Sequence, residues 1–140
     1  MSPSDVVIVS AKRTPIGAFL GALSPLSAVQ LGSAAIKAAL EAATVSATDV
    51  QEIIMGCVLP ANLGQAPARQ AALGAGVPVA APATTINKMC GSGLKAVMMA
   101  ADQIRAGGAS IVLCKAGVDL QRRAETLNVE EWGRITQAME

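Results

Sequence analysis

Apolar positions along the chain fall into short continuous runs and helical stripes, separated by loops rich in Gly and Pro. Val6-Val7-Ile8-Val9 is an unbroken β-branched run, the pattern of a strand covered on both faces. Lys12-Arg13-Thr14-Pro15-Ile16-Gly17 breaks it into a loop. From Ser27, a residue type suited to capping a helix, apolar residues recur at 28, 31, 35, 36, 39 and 40, which predicts a helix through about Ala42. Thr48-Asp49 opens a turn, and Glu52-Ile53-Ile54-Met55-Gly56-Cys57-Val58 reads as a second strand. Pro60 to Gly64 is loop. Pro67 then starts a short helix through Ala72, at a position where its missing N–H costs least. Val77 to Pro82 is another break, and Thr84-Thr85-Ile86-Asn87-Lys88 is β-prone. A helix from about Leu94 to Arg105 stops at Gly107-Gly108, and Ser110 to Cys114 is a last buried strand. This alternation predicts an α/β fold, a mostly parallel sheet with crossover helices.

The tail differs in character. From Asp119 to Glu140 charges become dense and small apolar residues thin out, so residues 1–116 and 117–140 read as two units. Asn128 followed by Glu131 makes a capping pair for a helix from Val129 to Met139. Trp132, Ile135 and Met139 share one face of that helix, and the face needs a partner surface.

Composition narrows the function classes. Hydrophobic residues make up 52% of the 140 positions and charged residues 15%, which excludes a disordered chain. A single Phe, a single Trp and no Tyr leave nothing to stack bases. A net charge of +1 offers no footprint for nucleic acid or an anionic membrane, so neither is expected as a partner. Apolar stretches end well short of the roughly 20 residues that a membrane span needs. Met1 to Asp5 and the run after it lack the pattern of a secretion signal, and a cytoplasmic protein is expected. Three cysteines at wide spacing fit free thiols in a reducing compartment. The chain holds no histidine, which closes any mechanism needing a His base within it. A zinc site would have to use Cys57, Cys90 and Cys114, which show no close pairing, so no metal is expected.

The chemistry concentrates at Asn87-Lys88-Met89-Cys90-Gly91-Ser92-Gly93, between a short strand and the start of an apolar helix. A Cys at that place meets unpaired first-turn N–H groups and the positive end of the helix dipole, which favour a thiolate nucleophile. Gly91 and Gly93 would clear space for an incoming carbonyl carbon. From spacing alone, a small residue packed beside glycines describes Cys90 equally well. Cys57 and Cys114 fall inside predicted strands, where packing is the expected role.

Ile86-Asn87-Lys88-Met89-Cys90-Gly91-Ser92-Gly93-Leu94-Lys95-Ala96 resembles the acyl-accepting motif of thiolases, in particular acetyl-CoA acetyltransferases. Val7 to Phe19, Gly56-Cys57-Val58 and Gly64 to Ala72 are similar to other segments of that family, in the same order. The resemblance implies the N-terminal half of a thiolase-like fold, to which the tail's own pattern adds a C-terminal helix. It implies that Cys90 takes an acyl group from a CoA thioester, after which a second acetyl-CoA condenses with it, or thiolysis runs in reverse. The Cys90 amide inherits part of an oxyanion hole. The CoA thioester is a substrate, so no cofactor is expected, and no further substrate-binding residue is assigned. Arg69 and Gln70 are expected at a subunit contact, and Arg13, like Lys12, in an exposed loop with an ion pair in preference to a CoA contact.

The family's second half supplies a His and a second catalytic Cys, and neither is assignable to this chain. It is therefore expected to be inactive by itself, with a homo-oligomer or a complementing C-terminal half as its partner. Near residue 113 the sequence leaves the family's pattern, and Gly117 to Trp132 is similar to the C-terminal end of ribosomal RNA adenine dimethyltransferases, without any methyl-donor loop. Two other readings follow. One is a non-catalytic truncated or fused α/β scaffold that self-associates through apolar surface. The other, an RNA-associated module borrowed through the tail, is opposed by its three Arg against five acids.

Overall fold

The computed structural model describes residues 6–115. The first helix, α1 (Ala28–Ala43), begins where its cap dictates. Ser27 Oγ accepts the Gln30 N–H at 3.2 Å and Gln30 Oε1 accepts the Ser27 N–H at 2.8 Å, a reciprocal capping box. It ends at Thr44, which turns left-handed at φ 53°, so that Val45 N–H returns to Leu40 O at 3.0 Å. A short 3-10 turn (Ala47–Asp49) leads to β1 (Glu52–Gly56). After a long loop comes α2 (Pro67–Gly74), with Pro67 in its first turn as the sequence predicts. Strand β2 (Ala83–Ile86), helix α3 (Ser92–Arg105) and strand β3 (Val112–Lys115) follow. Gly107, left-handed at φ 74°, and Gly108 donate back to Ile104 O and Gln103 O and stop α3.

The three strands form one parallel sheet in the order β2-β1-β3. Ile54 pairs with Thr84 on one side and Cys114 on the other, while Ile53 pairs with Ala83 and Leu113. Successive β1 side chains therefore enter different layers. Ile53 and Met55 join Ile36 and Leu40 of α1 and Ala68, Ala71 and Ala72 of α2 in the larger core. Ile54 faces Ala96 and Ala100 of α3, with Ile86, Met99, Val112 and Cys114 around it. Ile53 and Ile54 are 0% and 1% exposed, and burial of each stabilises the fold by about 1.5–3 kcal/mol. Helix–sheet–helix layering with an alanine-rich interface is the α/β architecture expected from the sequence.

One expected strand is absent from this sheet. Residues 6–9 form no ladder, and Val7, Ile8 and Val9 are 53%, 42% and 70% exposed. Both edges of β1 are taken, by β2 and β3. A β-branched run becomes a strand only against a partner edge, so pattern alone does not place it. Residues 117–140, with the expected division at 116 and the helix from Val129 to Met139, lie outside the described residues. Among the described residues, no helix is long and apolar enough to cross a membrane.

Candidate active site

Because the strands are parallel, the segments leaving β1 and β2 emerge at the same edge of the sheet, where α/β folds place ligands. Cys90 lies there and is exposed. The connection from β2 to α3 is only five residues long in the sequence, from Asn87 to Gly91, and it is held by side chains. Asn87 Nδ2 donates to Val58 O at 3.2 Å, joining the two segments that leave the sheet. Asn87 Oδ1 accepts the Met89 N–H at 2.9 Å, a side-chain turn of the Asx kind. Met89 is left-handed at φ 49°, an uncommon conformation for a residue with a Cβ. Ser92, 3% exposed, accepts the Lys88 N–H at 2.9 Å and donates to Met89 O at 2.6 Å.

Helix α3 begins two residues earlier than its apolar pattern predicts, at Ser92, with Gly91 as N-cap. Cys90 consequently precedes the cap, outside the first turn. Its own N–H donates to no acceptor among the described residues, and the same holds for the first-turn amides of Gly93 and Leu94. Among the described residues, three amides without an acceptor therefore lie at or just after Cys90. Gly93 is buried on the face of α3 that carries Ala96 and Ala100. A Cβ at Gly91 would sit 3.4 Å from Lys88 O, an ordinary contact.

The other sequence candidates fall elsewhere. Cys57 is one residue beyond β1, not inside it, although its N–H continues the ladder to Ile86 O at 2.9 Å. Cys114 is within β3 against the α3 face, and burial pushes its thiol up to about 11, which suits packing and not nucleophilic chemistry. Arg69 Nη1 donates to Val79 O and Ala81 O at 3.0 and 2.6 Å, and Gln70 Nε2 to Leu63 O and Gln65 O, both at 2.7 Å. Within the chain, then, these side chains clip loops onto α2. Arg13 and Lys12 are exposed; the one ion pair among the described residues joins Arg105 and Asp102 at 3.7 Å. Those residues also include no group of three His, Cys, Asp or Glu placed to hold a metal ion.

Asn87 and Ser92 stand in the motif but have no role assigned from sequence. The signal that reveals them is local: an Asn two residues ahead of a tight turn, and a Ser at the first helical position.

An exposed cysteine on a strand-to-helix turn, at the carboxyl edge of a parallel sheet, defines an α/β protein with a candidate site at that edge. Its family is specific. Residues 6–133 match the family described as thiolase, N-terminal domain, and the chain belongs to the thiolase family. Acetyl-CoA acetyltransferase 2 of Arabidopsis thaliana is 58% identical over 113 residues, covering 81% of this chain and 28% of the relative. Acetyl-CoA acetyltransferase of Cupriavidus necator is 60% identical over 110 residues, covering 79% and 28%. A crystal structure of the Acat5 thiolase of Ascaris suum in complex with coenzyme A superposes with a TM-score of 0.74 at 42% identity, covering 75% of this chain and 28% of that one. The chain thus spans 28% of the length of these relatives. The family match runs past residue 116, across the division expected there, and none of these comparisons bears on the likeness to dimethyltransferases.

Proposed function

We propose that Cys90 accepts an acyl group from a CoA thioester, the first half of an acetyl-CoA C-acetyltransferase reaction. The observation that carries this reading is the exposed Cys90 whose own amide is left without an acceptor on a fixed turn. The sulfur, as thiolate, attacks the thioester carbonyl carbon. The carbonyl oxygen takes up the charge, and a free N–H beside it stabilises that charge most where it develops. Collapse breaks the bond to the CoA sulfur, which leaves as thiolate and takes a proton from solvent, and S-acetyl Cys90 remains.

The second half-reaction, condensation with another acetyl-CoA or thiolysis in reverse, needs a base that moves an α-proton. This chain has no histidine, Cys114 is packed against α3, and Cys57 lies one residue beyond β1. The reading therefore includes a partner, a second copy or a complementing C-terminal half, that supplies the base. With acetyl-CoA, the chain alone is expected to release CoA in a single stoichiometric phase lost in Cys90→Ser. Steady thiolysis of acetoacetyl-CoA by the chain alone, abolished in Cys90→Ala, would overturn the half-reaction assignment.

A second reading rests on a different observation. Met89, Leu94 and Met98 are 65%, 54% and 51% exposed along the turn and outer face of α3, an apolar surface suited to self-association by a non-catalytic scaffold. A chain that self-associates but is never acylated would favour it.

A further inference from the structure

We propose that Asn87 and Ser92 are positioning residues that fix the peptide plane carrying the Cys90 amide. The proposal rests on the reading of Cys90 as acyl acceptor and names what orients its oxyanion donor.

The Cys90 N–H and the Met89 C=O belong to one peptide, and in a trans peptide they point in opposite directions. Met89 O is anchored toward α3 by two donors, Ser92 N–H at 3.1 Å and Ser92 Oγ at 2.6 Å. The Cys90 N–H is thereby turned away from those donors and finds no acceptor among the described residues. On the other side, Asn87 Oδ1 holds the Met89 N–H at 2.9 Å, so both polar groups of the left-handed Met89 are fixed by side chains.

The orientation of the Asn87 amide is settled by its partners. The Val58 carbonyl accepts only, and the Met89 N–H donates only, so Nδ2 must face the first and Oδ1 the second. Asn87 thus ties the turn to the segment leaving β1, 29 residues away in sequence. Ser92 closes the same turn from inside, with Oγ between Lys88 N–H and Met89 O. Loss of either side chain removes one of the bonds that hold Met89 in the left-handed region and loosens the plane that carries the Cys90 donor.

The test uses the full chain in three forms: wild type, Asn87→Ala, and Asn87→Asp, which keeps the acceptor for Met89 N–H but loses the donor to Val58 O. Acetylation of Cys90 by acetyl-CoA is timed by peptide mass mapping, alongside alkylation of Cys90 by iodoacetamide, which develops no oxyanion. N87A is expected to acetylate on the order of 10²-fold more slowly, the cost of displacing a reacting group by about 1 Å, while alkylation changes by less than about twofold. N87D, which keeps the Met89 acceptor but sets a carboxylate oxygen against the Val58 carbonyl, is expected to fall between N87A and wild type. Equal acetylation of wild type and N87A, or N87D as slow as N87A, overturns the proposal. Amide hydrogen exchange at Met89 separates this failure from failure of the functional reading. If wild type alkylates at Cys90 but never acetylates, the acyl-acceptor reading is lost. The positioning role then stands on a Met89 N–H that is protected in wild type and N87D but not in N87A, and falls if all three exchange alike.

Discussion

Ser33 of α1 lies so close to Gly74 of α2 that a Cβ at position 74 would fall 2.5 Å from the Ser33 hydroxyl oxygen. The same hydroxyl bonds Ala71 O at 2.9 Å across the helix pair and Val29 O at 3.1 Å within α1. In an exposed helix, Gly→Ala stabilises by up to about 1 kcal/mol, but here the methyl group meets a neighbouring side chain. Gly74→Ala displaces the Ser33 hydroxyl from Ala71 O, so it is expected to destabilise by about 0.5–1.5 kcal/mol instead of stabilising. Ser33→Ala alone is expected to cost about 0.5–1.5 kcal/mol and to reduce the penalty of Gly74→Ala when the two are combined. Urea unfolding of the four forms gives the coupling, and additive effects would contradict the contact.

Ser92 offers a second stability test. In Ser92→Ala the Met89 carbonyl keeps the Ser92 N–H, but the Lys88 N–H loses its acceptor. The expected loss is about 1–3 kcal/mol, the penalty for a stranded donor in a part-buried turn. A denaturation midpoint equal to that of wild type would show that the turn stands without the hydroxyl.

Cys114 gives the fold a pH dependence of defined sign. Burial favours the neutral thiol and raises it from 9.0 to about 11, so the unfolded chain loses this proton first. The resulting stability is complete below pH 9.0 and is lost as pH rises toward about 11. Cys114→Ala removes this contribution, so its stability should fall less steeply than that of wild type across the same interval. Parallel pH profiles from denaturant unfolding would contradict the buried thiol.

The outer face of α3 predicts a solution property. Leu94 and Met98 are one helical turn apart and each more than half exposed. Leu94→Ser combined with Met98→Ser is expected to lower binding of a hydrophobic dye and any self-association seen by gel filtration, with the thermal midpoint nearly unchanged. A double variant that unfolds would show that these side chains are packed.

Legibility in sequence followed the range of the interactions involved. Ser27, Pro67 and Gly107 act within a turn of their own position, and the helix ends they mark were readable. The alternation of Ile53 and Ile54 between two cores follows from strand periodicity once α helices cover both faces. Val6 to Val9 shows the opposite case, since such a run becomes a strand only where a partner edge is available. Gly93 was readable as small, but that it falls on the buried face of α3 depends on where the helix begins. The turn that carries Cys90 was legible through the motif around it. The bond from Asn87 to Val58 was not, because it spans two loops that only the parallel register brings together.

The most direct test of the central claim is intact mass spectrometry of the chain after incubation with acetyl-CoA, followed by digestion to map the adduct. The account predicts one acetyl group, on Cys90, with Cys57 and Cys114 unmodified. No adduct, or equal labelling of all three cysteines, would mean that the turn around Cys90 does not form an acyl-accepting site.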